Sequence, residues 1–234
     1  MPATAPVPQL LLPGQVAAAP GPIDLAPMFL MHRAFRRDLD AFAGVVPTVA
    51  VDDRERWGRL ARRFRLFATV LHKHHSGEDR AMWPLLADRG ADAAVLESLE
   101  AQHAGIDPLL TAVREDLGAL AAGTGDAATR ERLTAGTARL RDDLAAHLAN
   151  EESTGMPLVQ EYLSPEDWDR LDREVFAKDY TAREVPAVLG WVAAGLTDDQ
   201  LRRLPGANRI FLAFARFMAR RFERGEARTF GGAR

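Results

Sequence analysis

The chain has 234 residues, of which 47% are hydrophobic and 27% charged, enough for a domain with a full core. It contains no cysteine, which excludes disulfide bonds and thiolate metal ligands and leaves imidazole nitrogen and carboxylate oxygen as ligands. The formal net charge of −3 indicates no particular partner. Residues 201–234 nevertheless hold nine arginines against two glutamates, a net of +7, so residues 1–200 carry −10.

Residues 1–22 are rich in alanine and proline and carry no charge, which predicts a flexible or surface-draped N-terminal arm. The first basic residue is Arg33, so the N-terminus lacks the charged region of a secretory signal. No stretch is apolar over the length that a membrane helix needs. We therefore expect a cytoplasmic protein.

Four long segments repeat apolar residues at alternating steps of three and four, the spacing of one buried helix face. The first is predicted to begin near Asp24 and the second at Asp52, with Glu55 as its capping-box partner. The predicted buried face of the third runs from Leu96 to Leu120. Short loops between four such helices predict an all-α fold, an up-down-up-down four-helix bundle over residues 23–162.

Residues 163–234 contain two further helix starts, Ser164 before a proline and a capping box at Thr197, which predict a helical C-terminal extension packed on the bundle. Its last helix, about residues 208–224, interleaves phenylalanines with arginines. Solvated arginines on a packed helix are the favoured interpretation, and contact with an anionic membrane surface is a less favoured one. Nucleic-acid binding is not expected, because no recognised motif accompanies the charge.

The pattern His-x-x-x-Glu occurs twice, and each copy is followed by Pro-Leu six residues after its glutamate. The spacing puts both side chains of a copy on one helix face. A lone histidine precedes each copy by 42 or 44 residues, so the whole unit is duplicated. Counting from the loops at ~1.5 Å per residue places these side chains at one level of four helices. The candidate metal ligands are His32, His74, Glu78, His103, His147 and Glu151.

Carboxylates on a buried helix face are costly unless they have a partner, and neither glutamate has Lys or Arg one turn away on its own helix. Four imidazoles and two carboxylates suit a pair of metal ions, and this set suits non-haem iron; manganese or zinc is compatible with the same ligand types. The alternative, glutamates at an exposed bundle mouth, is disfavoured by the duplication. The fourth buried face is predicted to continue from Glu151 to Thr154 and Leu158.

Three other polar residues lie close to the candidate ligands in the sequence. His72 and His75 lie beside the predicted buried face and are interpreted as flank residues, although His75 has a weaker claim to contact with a metal or its ligands. Asp107, four residues after His103, is a further weak candidate ligand, and a solvated position is favoured for it.

This set of residues resembles the hemerythrin-like (HHE cation-binding) family over residues 24–162. The resemblance implies a bundle around two iron ions, joined by an oxo or hydroxo bridge, that bind O₂ or sense oxygen, nitric oxide, peroxide, iron or redox state. The chain departs from oxygen-carrying hemerythrins, which have five histidines and His-x-x-x-His on the third helix, because Asp107 follows His103 here. This departure favours a more open site over simple oxygen carriage.

These observations leave three hypotheses. The favoured one is a non-enzymatic di-iron protein that binds or senses a small molecule such as O₂. The second is a di-iron oxidoreductase, for instance one that consumes peroxide, and the third is a metal-free helical interaction module. The metal content of the purified protein distinguishes the first two from the third.

Overall fold

The computed structural model describes residues 5–231, and all regular structure within that range is helical. Two pairs of consecutive helices are continuous through a five-residue π-helical turn, and a 3₁₀ turn (Val46–Thr48) follows the first helix. The helices are α1 (Ala26–Val45), α2 (Arg54–Gly77), α3 (Trp83–Asp88), α4 (Ala93–Ala122), α5 (Ala127–Asn150), α6 (Met156–Tyr162), α7 (Pro165–Leu171), α8 (Val185–Ala193), α9 (Asp198–Leu201) and α10 (Arg209–Glu226). The π turns are Glu78–Met82, Glu151–Gly155, Asp172–Phe176 and Ala227–Gly231.

The four longest of the first five helices form the bundle. In order around its axis they are α1, α2, α4 and α5, and each packs against the two next to it. Aromatic side chains such as Phe35, Phe42 and Phe64 fill the space between α1 and α2 and are completely buried. The predicted all-α up-down-up-down four-helix bundle is confirmed.

The helix starts follow capping chemistry, with one difference from the prediction. The N-cap of α2 is Asp53 rather than Asp52, and its carboxylate accepts a hydrogen bond from the backbone N–H of Arg56 at 3.0 Å. Aspartate is a common N-cap residue, so the residue type alone does not choose between the two positions. Asp53 is the cap because its side-chain oxygen reaches the N–H of the residue three positions later, which has no partner within the helix. The N-cap position of α1 is Leu25, one residue after Asp24, and the Asp24 carboxylate accepts a hydrogen bond from the N–H of Ala26 at 2.9 Å.

The π turns place both motif glutamates at a break in the α-helical hydrogen bonding. The N–H of Trp83 donates to the carbonyl of Glu78, and that of Met156 donates to the carbonyl of Glu151. Each bond spans five residues instead of four. Wide turns of this kind are rare and occur often at functional sites.

The repeated Pro-Leu begins two residues after the end of each of these turns. Pro84 and Pro157 have no N–H to donate, and a proline ring in a helix collides with the carbonyl four residues earlier. Those carbonyls belong to Arg80 and Ser153, inside the two π turns. Two other π turns, Asp172–Phe176 and Ala227–Gly231, have no such proline, and α4 keeps its α-helical form at Pro108, so the prolines accompany the first two π turns without being a general requirement for one.

The π turn also changes which residues of the last bundle helix are buried. Thr154 and Leu158, the predicted positions, are only partly buried, whereas Gly155, Met156 and Val159 are buried. The prediction of this short stretch is wrong because a π turn inserts one residue and advances the buried face by one position.

The N-terminal arm lies along the bundle. Leu12 and Ile23 are buried, whereas Leu11 is 72% exposed. The side-chain amide of Gln160 on α6 donates to the carbonyl of Ile23 at 2.9 Å, and the N–H of Val16 donates to Glu152 at 2.9 Å. The arm is therefore hydrogen-bonded to the region in which α5 continues into α6.

One buried carboxylate connects the extension with both α1 and α2. Asp38 on α1 accepts from the indole N–H of Trp191 at 2.7 Å and from Arg63 at 2.6 Å. Arg63 also donates to Glu226 at the end of α10, at 2.6 Å. Each buried charge thus has partners of opposite sign or hydrogen-bond donors, as burial requires.

Helix α10 is strongly amphipathic. Ala215 and Ala219 are buried on its inner face, whereas Ile210, Phe214 and Phe217 are exposed. Within residues 5–231, none of the helices combines the length and the apolar content that crossing a bilayer requires.

Candidate metal centre

Seven polar side chains meet in the core, near the points where α2 and α5 run into their π turns. They include all six ligands predicted from the duplicated motif, together with His75. None is more than 5% exposed. The set is His32 from α1, His74, His75 and Glu78 from α2 and its π turn, His103 from α4, and His147 and Glu151 from α5 and its π turn.

Their possible ligand atoms form two groups, in each of which all atoms lie within 4.8 Å of one another. One group comprises His32, His74 and Glu151, and the other comprises His75, His103 and His147. The site therefore offers five imidazoles, unequally divided.

Each of the two glutamates lies near imidazoles of both groups, and Glu151 is itself a member of the first. Oε1 of Glu78 is 3.1 Å from Nε2 of His74, and its Oε2 is 3.6 Å from Nε2 of His103. Oε2 of Glu151 is 3.3 Å from Nε2 of His32 and 3.7 Å from Nε2 of His147. Each carboxylate thus lies near one imidazole of either group, so each is placed to contribute an oxygen ligand to either group.

Most of these atoms are buried without a hydrogen-bond partner. The unpaired atoms include Nε2 of His32 and His74, both ring nitrogens of His75, and all four carboxylate oxygens of the two glutamates. The approach of His32 to Glu151 is close enough for a hydrogen bond but not aligned for one. Because buried polar groups are nearly always paired, this concentration of exceptions calls for cations among them. Nitrogen and oxygen donors in this ratio fit two first-row transition-metal ions.

Two imidazoles face each other in a way that also calls for a cation. Nδ1 of His103 is 2.7 Å from Asp79, and Nδ1 of His147 is 3.1 Å from the side-chain oxygen of Gln102. These acceptors assign the proton of each neutral ring to Nδ1 and leave a lone pair on Nε2. The two Nε2 atoms are only 3.1 Å apart. Lone pairs at that distance repel each other unless a positive charge is close to both.

Two acids next to the motif glutamates orient histidines of other helices. Glu152 accepts from Nδ1 of His32 at 3.0 Å and from Arg36 at 2.7 Å. Asp79, which follows Glu78, does the same for His103. The sequence prediction missed both acids, although each motif reads His-x-x-x-Glu followed by a second acid. Partners of this kind fix the tautomer and orientation of a metal-binding histidine.

His75 differs from its interpretation as a flank residue. It is buried, and its ring stacks on that of His103 with centroids 3.9 Å apart and planes 9° apart. Helix α2 packs between α1 and α4, so adjacent residues about 100° apart can each face a different neighbour. His74 lies beside His32 of α1, with ring centroids 5.5 Å apart, and His75 lies beside His103 of α4.

The remaining candidates lie away from the centre. Asp107 is exposed, because the buried face of α4 passes through Ile106 and Leu110 and turns Asp107 toward solvent. It belongs to neither group of ligand atoms within residues 5–231. His72 on α2 is exposed as well.

Burial and mutual charge set the protonation of the centre. Burial, together with the charge of Glu151, raises the pKa of Glu78 well above its usual value. Burial opposes ionisation of Glu151 too, but the neighbouring imidazoles, His32 first among them, lower its pKa overall. Burial lowers the pKa of His74 to about 3 and that of His147 to about 4. At neutral pH these two imidazoles are therefore uncharged, the form that binds metals.

One comparison with known proteins bears on the centre. Residues 25–159, more than half of the chain, match the family model described as the hemerythrin HHE cation binding domain. The match extends from α1 into α6 and includes all seven buried polar residues. No curated protein and no solved structure matches the chain.

Proposed function

The chain belongs to the hemerythrin HHE cation-binding family, and from this membership we propose a non-haem di-iron protein that binds or senses O₂ or a related small molecule such as nitric oxide or peroxide. One observation carries the proposal: buried histidine nitrogens and glutamate oxygens, most of them without a hydrogen-bond partner, gather in two adjoining groups of possible metal ligands. Iron bound there supplies redox activity and coordination positions for the small molecule.

The residues divide into three roles. His32 and His74 would hold one ion, and His75, His103 and His147 would hold the other. Glu78 and Glu151 would supply carboxylate oxygens and balance the charge of the metal. The group with fewer imidazoles would leave more coordination positions for an external ligand.

The outer acceptors keep the centre ready for metal. Glu152, Asp79 and Gln102 each hold the Nδ1 proton of one histidine, so that Nε2 presents its lone pair to the interior. The metal therefore meets imidazoles that are already oriented.

The fifth imidazole bears on oxygen binding. The third helix lacks the second histidine of oxygen-carrying hemerythrins, but His75 brings an imidazole from α2 to the same group as His103. Replacing His75 with Ala should weaken the ion of that group and lower the iron content toward one per chain. Retention of two equally tight ions would contradict a ligand role for His75.

Elemental analysis and the optical spectrum of the purified protein test the proposal. We expect two irons per chain and the near-ultraviolet absorption of a bridged iron pair. Glu78→Ala and Glu151→Ala should lose metal, whereas His72→Ala, an exposed control on α2, should keep it. A colourless, metal-free chain would overturn the proposal in favour of a helical interaction module. Analysis for manganese and zinc in the same samples identifies the metal.

A peroxide-consuming oxidoreductase is the second candidate. Its support is the side chain of His74, which belongs to the group with fewer imidazoles and also lines a pocket that opens outward. Such a pocket gives a substrate of the oxidoreductase a route to the centre. Peroxide turnover by the iron-loaded chain would favour this candidate. A reversible spectral change with O₂ and no turnover would favour binding or sensing.

A further inference from the structure

An apolar pocket of about 180 Å³ lies on the outer side of His74, between the bundle and the extension. Met28 and Met31 of α1 contribute one wall, and Trp168 and Phe176 of the extension contribute another. An engineered apolar cavity of ~150 Å³ in another protein binds benzene. The pocket therefore has room for one small ring.

The extension fixes the outer wall of this pocket. Phe176 packs directly over Gly77, where a Cβ atom would lie 2.6 Å from the phenylalanine ring. The rings of His74 and Phe176 have centroids 6.4 Å apart. Glycine at position 77 thus allows the close approach that places Phe176 beside His74.

His74 is the ligand histidine that lacks an outer partner and borders a pocket. Nδ1 of three other ligand histidines faces Glu152, Asp79 or Gln102. No group of residues 5–231 hydrogen-bonds to Nδ1 of His74. The Nε2 atom of the same ring is enclosed in the core beside Glu78, whereas Nδ1 is not enclosed. His75 also lacks a partner, but both its nitrogens are enclosed in the core. Metal-binding histidines almost always have such a partner.

The charged groups around the pocket argue against an ionic occupant. The Lys73 ammonium is 2.6 Å from Glu184 and lies 4.8 Å from the ring centre of Tyr180, so its charge is already neutralised. Asp172 has no ion-pair partner within the described residues, and burial raises its pKa above the ordinary value. An anion meets no free cation here, and burial opposes the ionisation of the one acid in the lining.

We propose that the pocket binds a small uncharged molecule of about the size of phenol, with an apolar body and one oxygen that accepts a hydrogen bond from Nδ1–H of His74. Such a molecule gives His74 the outer partner that Glu152 gives His32. It thereby strengthens His74 as a ligand, and by linkage the metal strengthens binding of the molecule. The effect on the metal rests on the proposed function, whereas binding in the pocket does not.

Calorimetric titration of the full chain with phenol and with toluene tests the proposal. We expect saturable binding of one phenol, and toluene about five- to ten-fold weaker, because it lacks one hydrogen bond worth roughly 1 kcal/mol. Ala177→Trp fills the pocket from its exposed rim and should weaken phenol binding at least ten-fold. Ala182→Trp, exposed and outside the pocket, is the matched control. Equal phenol affinity in both variants would overturn the proposed site.

Two further probes test which group meets the oxygen. The preference for phenol over toluene should persist in Tyr180→Phe. Loss of the preference in this variant would show that Tyr180 makes the hydrogen bond, and would overturn the role of His74. Benzylammonium should bind more weakly than phenol. Tighter binding of that cation would make Asp172 the recognition group and overturn the uncharged occupant.

The same titrations separate this inference from the proposed function. They are made on the chain as purified and after treatment with a chelator. If a chain that never holds metal binds phenol, the proposed pocket is supported and the proposed function is overturned. Metal binding without phenol binding would do the reverse. In the metal-loaded chain, phenol and not toluene should slow metal release to a chelator, and an unchanged rate would overturn the effect on the metal.

Discussion

At the scale of single residues, the most informative side chain is Glu152. It is fully buried and accepts hydrogen bonds from His32, Arg36 and the backbone of Val16. Burial opposes its ionisation, but the hydrogen bonds from His32 and Arg36 lower its pKa overall. An ionised Glu152 therefore orients His32 without binding a metal itself.

Removing this carboxylate should weaken the metal centre. Glu152→Ala leaves Nδ1 of His32 without an acceptor, and loss of such a partner typically lowers metal affinity about 10–100-fold. Glu152→Gln keeps one acceptor oxygen and should lose less. Competition with a chelator measures both affinities, and Glu161→Ala, an exposed glutamate on α6, is the control. Equal affinities for Glu152→Ala and Glu161→Ala would contradict the orienting role.

The buried histidines predict how the metal-free chain responds to acid. The pKa values of His74 and His147, about 3 and about 4, lie below the ordinary 6.5 of an unfolded chain. Their contribution to stability is complete above pH 6.5 and is lost as pH falls toward these values, because the unfolded chain takes up the protons first. Each adds a slope of about 1.4 kcal/mol per pH unit.

Urea unfolding of the chelator-treated chain at pH 7 and pH 5 measures this response. We expect a lower midpoint at pH 5 and a smaller decrease in His147→Leu. Glu78 acts in the opposite direction, because its raised pKa removes stability as the pH rises above the ordinary pKa of a glutamate. Both proteins contain Glu78, so the difference between them reports the contribution of His147. An identical decrease in both proteins would show that His147 is charged in the folded chain.

At the scale of helices, sequence periodicity predicts the bundle well and fails where a helix departs from α geometry. Helix α4 buries its predicted face from Leu96 to Leu120, because it is α-helical throughout. After Glu151 the π turn advances the buried face by one residue, and a pattern with α spacing cannot represent that step. The interpretation of His75 as a flank residue was wrong for a different reason. A bundle helix packs against two neighbours, so it buries a wider face than the single stripe of residues that the periodicity describes.

The proline after the second motif should control the position of Glu151. Pro157→Ala restores an N–H and removes the collision with the carbonyl of Ser153, so the turn can close to α geometry. We expect metal affinity about ten-fold lower, while the metal-free chain melts at the same or a higher temperature. Pro165→Ala, at the start of α7, is the control. An unchanged metal affinity would mean that the π turn does not depend on this proline.

At the scale of the whole molecule, both ends of the chain reach the surroundings of the centre. The arm donates to Glu152 through Val16, and the extension closes the pocket beside His74. The sequence shows the types of residue that make these contacts, but it does not show which residue contacts which. It joins segments more than a hundred residues apart, through single backbone groups and ring edges that leave no periodic pattern.

Deletion of residues 1–22 should weaken metal binding less than Glu152→Ala does. The deletion removes one hydrogen bond to Glu152 and leaves those from His32 and Arg36, so a loss of about two- to five-fold is expected. Combining it with Glu152→Ala should add little to the single substitution, because both act through the same carboxylate. Chelator competition on the four proteins tests this, and additive losses would contradict a shared route.

The contact between His32 and Glu152 spans 120 residues of chain, and this distance determines when the centre can form during synthesis. A ribosome adds roughly 5–20 residues per second. His32 therefore emerges several seconds before Glu151 and Glu152 exist, and no nascent chain shorter than 151 residues contains both groups of ligands. Because 82 of the 234 residues follow Glu152, the complete set of ligands first exists late in synthesis, and metal can enter the full centre only from that point on.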